Sequence, residues 1–192
     1  NNNAVKYQGN DESNPANLLQ DYNSRETETR FRVEDYSVIN DWKLNVGVNL
    51  EQAKYDTDDF TKLVTSDGLT VRDFESYLTL TKWGVFGQVS RVLQNRLTLS
   101  LGLRADANDY SSSMSSLLDQ LSPRLSASYA LTDAVNLNFN TGIYYQLPSY
   151  TVLGYRNSQT NVLENKENGV EYIRSKHLVS GVEFNLPKNS RI

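Results

Sequence analysis

The side chains of this chain best suited to chemistry are spaced for holding a ligand rather than for breaking a bond. Asn136, Asn138 and Asn140 recur at every second position, and Tyr144 and Gln146 continue the series. Alternate residues of an extended strand share one face, so these side chains form a single hydrogen-bonding column. Arg104, Arg124 and Glu183 sit on the polar faces of other alternating stretches and add charge to the same surface. Pro148 cannot donate to a strand ladder and so ends the pairing, which places Tyr144, Gln146 and Tyr150 at a rim able to stack or hydrogen-bond a small extracellular ligand.

Other reactive residues lack the company that reaction chemistry needs. His177 is the only histidine, with Lys176 and Arg174 close by in sequence, and reads as an ordinary residue of a polar face or rim. Serines at 111–113 and 115–116 have neither a nearby histidine nor the glycines of a nucleophile elbow. Asp56, Asp58 and Asp67 partly match a calcium loop, but Thr61 stands where its glycine is required and Asp67 where a bidentate Glu is needed. A solvated loop is expected there, with no metal. With no cysteine, thiolate metal sites and cysteine nucleophiles are excluded. No catalytic constellation remains, so neither enzymatic activity nor a cofactor is expected. A formal net charge of -4 also gives no electrostatic footprint for nucleic acid or for a polybasic membrane anchor.

The elements that would carry these residues are long strands. Trp42, Leu44, Val46, Val48 and Leu50 alternate with Lys43, Asn45, Gly47, Asn49 and Glu51; Leu97, Leu99, Leu101 and Leu103 alternate with Thr98, Ser100, Gly102 and Arg104. Similar alternation predicts strands over about 29–39, 77–93, 124–131, 135–144 and 172–186, with the start of an eighth before Ile192. Residues 1–28 read as a polar extracellular loop or extended segment, and 29–192 as one β unit. Residues 134–155 carry no charge, yet their alternating amides would ring a helix with polar groups, which excludes a transmembrane helix. No signal peptide opens the chain.

Length, charge placement and loop asymmetry favour a membrane barrel over a soluble sandwich. Ten residues at roughly 3.3 Å each, tilted near 40°, rise about 25 Å, the height of an outer-membrane apolar band. The apolar positions from the second strand onward carry no charge, whereas Lys43, Arg104, Arg124 and Glu183 fall on the opposite face, as a wet lumen demands. Connections alternate short (near Asn40, Asn95, Asp133 and Lys188) and long (56–76, 106–120 and 147–171). That alternation puts Trp42, Tyr129 and Phe184 near a periplasmic rim and Trp83, Tyr145 and Tyr172 near an outer one, as two aromatic girdles. The expected fold is an all-β, antiparallel transmembrane β-barrel, partial because seven strands and the start of an eighth cannot close. An internal fragment of a larger barrel is the resulting expectation.

Leu121-Ser122-Pro123-Arg124-Leu125, then Tyr129, then Gly142-Ile143-Tyr144-Tyr145-Gln146-Leu147-Pro148-Ser149-Tyr150, resemble the barrel of TonB-dependent outer-membrane receptors; Trp83 to Gln88 and Leu99 to Asp106 resemble the strand pair that precedes it there. The resemblance implies a ligand-gated transporter in the bacterial cell outer membrane, with a 22-stranded barrel plugged by an N-terminal domain and energised by the TonB complex. The plug domain and the TonB-contacting segment do not lie in these residues. A scarce nutrient (iron chelate, cobalamin or glycan) would be the ligand, outer-membrane lipid the surroundings, and a surface lipoprotein a candidate partner. Rival readings are a non-transporting outer-membrane barrel, such as an adhesin or assembly protein, and a soluble all-β binding module.

Overall fold

The computed structural model describes residues 2–9, 11, 13–66, 68–157, 159–186 and 190–191. Its strands are β1 (Asn2–Gln8), β2 (Leu18–Ile39), β3 (Trp42–Thr65), β4 (Gly68–Leu93), β5 (Leu97–Asn108), β6 (Leu121–Ala130), β7 (Val135–Gln146), β8 (Ile173–Leu186) and β9 (Ser190–Arg191). Each pairs antiparallel with the next in sequence order. Asn40, Gln94 and Asn95 supply the left-handed backbone of two tight turns, with φ of 55°, 48° and 53°. Two one-turn helices, α1 (Tyr150–Leu153) and α2 (Glu164–Glu167), lie in the connection from β7 to β8. No described helix is long and apolar enough to cross a membrane.

The register settles which side chains share a face. Leu50 lies opposite Trp83, Val48 opposite Val85 and Leu44 opposite Val89; Val89 lies opposite Leu101, and Leu101 opposite Leu125. These apolar residues form an outward band in which Val48, Leu101 and Val182 are about half exposed. No described residue of a second sheet covers the band, so its natural covering is lipid. Its limits are marked by charge: Lys54 and Asp56 follow Leu50 on the outward face of β3, Arg174 and Lys176 precede Leu178 on β8, and at the tight-turn end Arg91 rests on the Trp42 ring, 5.1 Å from its centroid. Asp35 is an outward charge within the band, opposite Val46, with its carboxylate accepting from the Ser37 hydroxyl at 2.7 Å.

One expectation changes. The connection read as a polar loop over 56–76 is strand: β3 runs 24 residues and β4 runs 26, so the hairpin stands roughly 60 Å tall at ordinary strand rise and tilt, far above the apolar band. Water bathes the outward face there, so Lys54, Asp56 and Asp58 can be polar without breaking the ladder. In the segment 1–28, expected as a polar loop or extended stretch, residues 2–8 and 18–28 are extended and paired, with β1 lying against 18–25 of β2. The expected turn at Asp67-Gly68 involves Asp67, and the expected turn over 187–190 involves Pro187, Lys188 and Asn189; all four lie outside the described residues.

The apolar core sits on the inner face of this tall hairpin. Ala53 and Tyr55 of β3 and Leu78 and Leu80 of β4 are buried against Tyr110, Met114 and Leu153, which come from the two long connections. The loops therefore fold back over the sheet and are part of the structure. Tyr172, expected in the outer lipid girdle, packs against this core instead, and its hydroxyl accepts from Asn108 Nδ2 at 2.8 Å.

Candidate functional site

The inner wall beneath the folded loops is a charge-balanced network. Pairing sets Arg30 opposite Glu51 and Glu51 opposite Lys82, so three adjacent strands place alternating charges in one row. Arg30 Nε meets Glu51 at 2.8 Å, and Lys82 Nζ is ion-paired with Glu51 and, at 3.2 Å, with Glu28. Lys82 also donates to the Tyr150 hydroxyl at 2.6 Å, and that hydroxyl donates to Glu28 at 2.5 Å. One lysine thus fastens helix α1, and with it the connection 147–172, to strands β2, β3 and β4.

A second knot lies beside the first. The Arg104 fork donates twice to Asp106, each at 2.6 Å, and reaches Asn49 Oδ1 at 3.5 Å. Gly84 makes room for it, since a Cβ there would lie 2.5 Å from Asp106 Oδ1, 2.9 Å from Asn49 Oδ1 and 3.1 Å from the Ala105 carbonyl. Gly84→Ala is accordingly expected to cost about 1–3 kcal/mol through overpacking and to free Arg104 from Asp106. Unfolding titrations of the intact protein, compared with Gly87→Ala where only Val46 Cγ1 comes near at 3.7 Å, would test this; equal costs would contradict it. Between the knots is a cavity of about 240 Å³ bordered by Glu51, Lys82, Arg104, Asp106 and Tyr172. Arg30, Lys82 and Arg104 balance Glu28, Glu51 and Asp106, so this wall attracts a ligand through hydrogen bonds more than through net charge.

The fastening of Tyr150 to Glu28 and Lys82 is expected to respond to acid. Glu28 lies beyond the band, opposite Ala53. Burial disfavours its ionised form, but the Tyr150 hydroxyl and Lys82 outweigh that and hold its pKa at about 2. For Tyr150, burial comes first and the neighbouring Glu28 carboxylate second in pushing the phenol up to about 12. A carboxylate with a depressed folded pKa contributes stability that is fully present above its unfolded pKa, near 4.5, and is lost as pH falls toward 2. The chain has no cysteine, so an environment-sensitive dye on Asn168→Cys would report the loop. Its signal should be flat from pH 8 to 5 and change between about pH 4 and 2, and the change should vanish in Glu28→Gln.

The ligand-contact residues read from sequence fall into two groups. Arg104 and Tyr150 belong to the network just described, with their polar atoms already engaged. The remainder line β6, β7 and β8: Asn136, Asn138 and Asn140 share the inner face, opposite Glu183, Gly181 and Val179, and Arg124 lies over the Tyr144 ring at 4.6 Å. His177, opposite Gly142, packs its ring against Tyr144 from the β8 side, with centroids 4.7 Å apart and the planes tilted by 35°. Gln146 is exposed at the end of β7. Among the described residues, no group of three or more His, Cys, Asp or Glu could hold a metal ion. Glu28, Arg30, Glu51, Lys82 and Asp106 were missed as site residues. Lys82 and Asp106 share the parity of inner-face neighbours already assigned, a usable signal; Glu28 lies in a stretch polar on both faces, which offers none.

Comparison with known proteins fits this geometry. Residues 1–173 match the family model described as "TonB dependent receptor-like, beta-barrel". The solved "Copper transporter OprC" aligns with a TM-score of 0.62 at 19% identity, covering 86% of this chain and 28% of that one. The receptor in the "FpvAI-pyocin S2 complex" aligns with a TM-score of 0.60 at 13% identity, covering 98% and 28%. The "ferric enterobactin receptor (PfeA)" does so at 0.54 and 18% identity, covering 95% and 29%. The chain spans less than a third of each of these structures. No curated protein matches it by sequence.

Proposed function

Because the chain belongs to the TonB-dependent receptor-like β-barrel family, we propose that it forms one arc of the wall and mouth of a receptor that takes up a scarce nutrient across the outer membrane. Members of this family are outer-membrane proteins of Gram-negative bacteria, and the half-exposed apolar band gives this chain a surface suited to that location. The observation that carries the reading is the contrast between that band and the inner wall, where ionised and amide side chains sit beneath loops folded over them. Such a wall offers a polar solute a hydrogen-bonded path past lipid-facing leucines and valines. Arg104, Arg124, Asn136, Asn138, Asn140, Tyr144, Gln146, Tyr150 and Glu183 would line the path and its rim. The nutrient is an iron chelate, cobalamin or a glycan, and energy comes from the TonB complex through a plug domain elsewhere in the protein.

The test is nutrient accumulation by cells carrying the intact protein, by cells in which its gene is deleted, and by cells lacking TonB. Accumulation lost in both altered strains supports the proposal. Uptake that persists without TonB, or recovery of the protein from a soluble fraction, removes it.

A further inference from the structure

Above the network, where the tall β3–β4 hairpin meets helix α1, the inner face holds a separate cavity of about 280 Å³. Its walls are aromatic: Tyr22 from β2, Tyr55 from β3, Phe74 from β4 and Tyr155 just after α1. Phe74 and Tyr155 meet edge to face, with ring centroids 5.6 Å apart, which fixes both rings at one side. Tyr55 forms the base at 1% exposure, and its buried hydroxyl has Tyr22, Thr57 and Thr151 as hydrogen-bonding neighbours, none of them in full hydrogen-bond geometry.

The charges here are already spent on each other. Asp59 is held by Arg72 at 2.7 Å and accepts from the Thr61 hydroxyl at 2.8 Å. No unpaired cation in the cavity awaits an anionic chelate, and no unpaired carboxylate awaits a metal. What remains open are the Gln20 amide and the unused donors of Arg72. The volume lies at or below the small end of ordinary ligand pockets, which run from about 300 Å³ upward, so the site accommodates one ring rather than a whole macrocycle or trimeric chelate.

We infer that this cavity binds one pyranose ring of a neutral saccharide, stacking the sugar's C–H face on the Tyr22, Phe74 and Tyr155 rings and bonding its hydroxyls to Gln20 and Arg72. The inference rests on the receptor reading and narrows its nutrient class to a glycan. A free oligosaccharide and the sugar chains of lipopolysaccharide present the same ring, so both are included in the test.

The experiment is titration calorimetry of the intact, detergent-solubilised protein with neutral gluco-, galacto- and manno-oligosaccharides, with purified lipopolysaccharide, and with a ferric catecholate as the anionic aromatic probe. At least one saccharide should bind. Tyr155→Ala and Gln20→Ala, both at solvent-reachable positions, should each weaken it tenfold or more, and Tyr55→Phe should weaken it less. Binding of lipopolysaccharide alone would assign the ring to the cell's own surface. Failure of every saccharide, affinity indifferent to Tyr155→Ala and Gln20→Ala, or capture of the ferric catecholate at this cavity would overturn the inference. TonB-dependent uptake is measured separately, so saccharide binding without uptake rejects only the transport reading.

Discussion

Leu101→Arg is expected to cost about 2–4 kcal/mol of folding free energy in a bilayer, whereas Ser100→Arg, one residue away, should cost about 1 kcal/mol or less. The difference comes from the face each occupies. Leu101 is 58% exposed and sits between Val89 and Leu125 in the middle of the apolar band. A guanidinium there must give up its hydration to hydrocarbon, and the short path to either interface lets it recover only part of that by snorkelling. Ser100 lies between Ser90 and Ser126 on the inner face, where an arginine reaches water and hydroxyl groups. Urea titrations of the intact protein folding into lipid vesicles, at lipid thickness near the natural one, would measure both. Equal costs at 100 and 101 would mean that the faces have been assigned wrongly.

Lys82→Met is the second large effect, with an expected loss of about 2–3 kcal/mol, below the 3–5 kcal/mol typical of fully buried pairs because the partners keep some exposure. Methionine preserves most of the volume, so the loss is electrostatic. Glu28 and Glu51 would be left facing each other with Arg30 as their remaining cation, and Tyr150 would lose the donor that holds it. Hydrogen exchange should rise across 147–172, because α1 has lost its fastening, while the outward band stays protected. Tyr150→Phe alone should give a smaller loss, and the double variant should cost less than the sum of the two, since both act on one knot. Strict additivity would show that Lys82 and Tyr150 do not work together.

How much of this was legible in sequence depended on whether a strand had different surroundings on its two sides. Leu97, Leu99, Leu101 and Leu103 announce themselves because lipid selects one face and water the other, which imprints a period of two on hydrophobicity. Above the band that contrast vanishes. Lys54, Asp56 and Asp58 face outward and Tyr55, Thr57 and Asp59 inward, so both faces look polar and the stretch reads as loop, although its ladder is continuous. The same holds for 18–28. Burial of Met114, in the midst of serines, was equally hidden, because it depends on where a loop lands rather than on a local pattern. The network was unreadable for a related reason: Lys82 meets Glu28 across 54 residues and Tyr150 across 68. Sequence could name Tyr150 and Arg104 as polar groups near the mouth but not show that their partners are each other's neighbours. Tyr172 shows the converse error, an aromatic at the expected height that faces the core instead of lipid.

The tall hairpin also separates two sets of side chains that can vary independently. Its outward side chains, Lys54, Asp56 and Asp58, face away from the inner wall, while the inward ones at the very next positions, Tyr55, Thr57 and Asp59, build the cavity and its base. Strand geometry keeps the two sets from touching. Substitution at every second residue would therefore change the outward charge and shape without moving an atom that a ligand in the proposed cavity would meet.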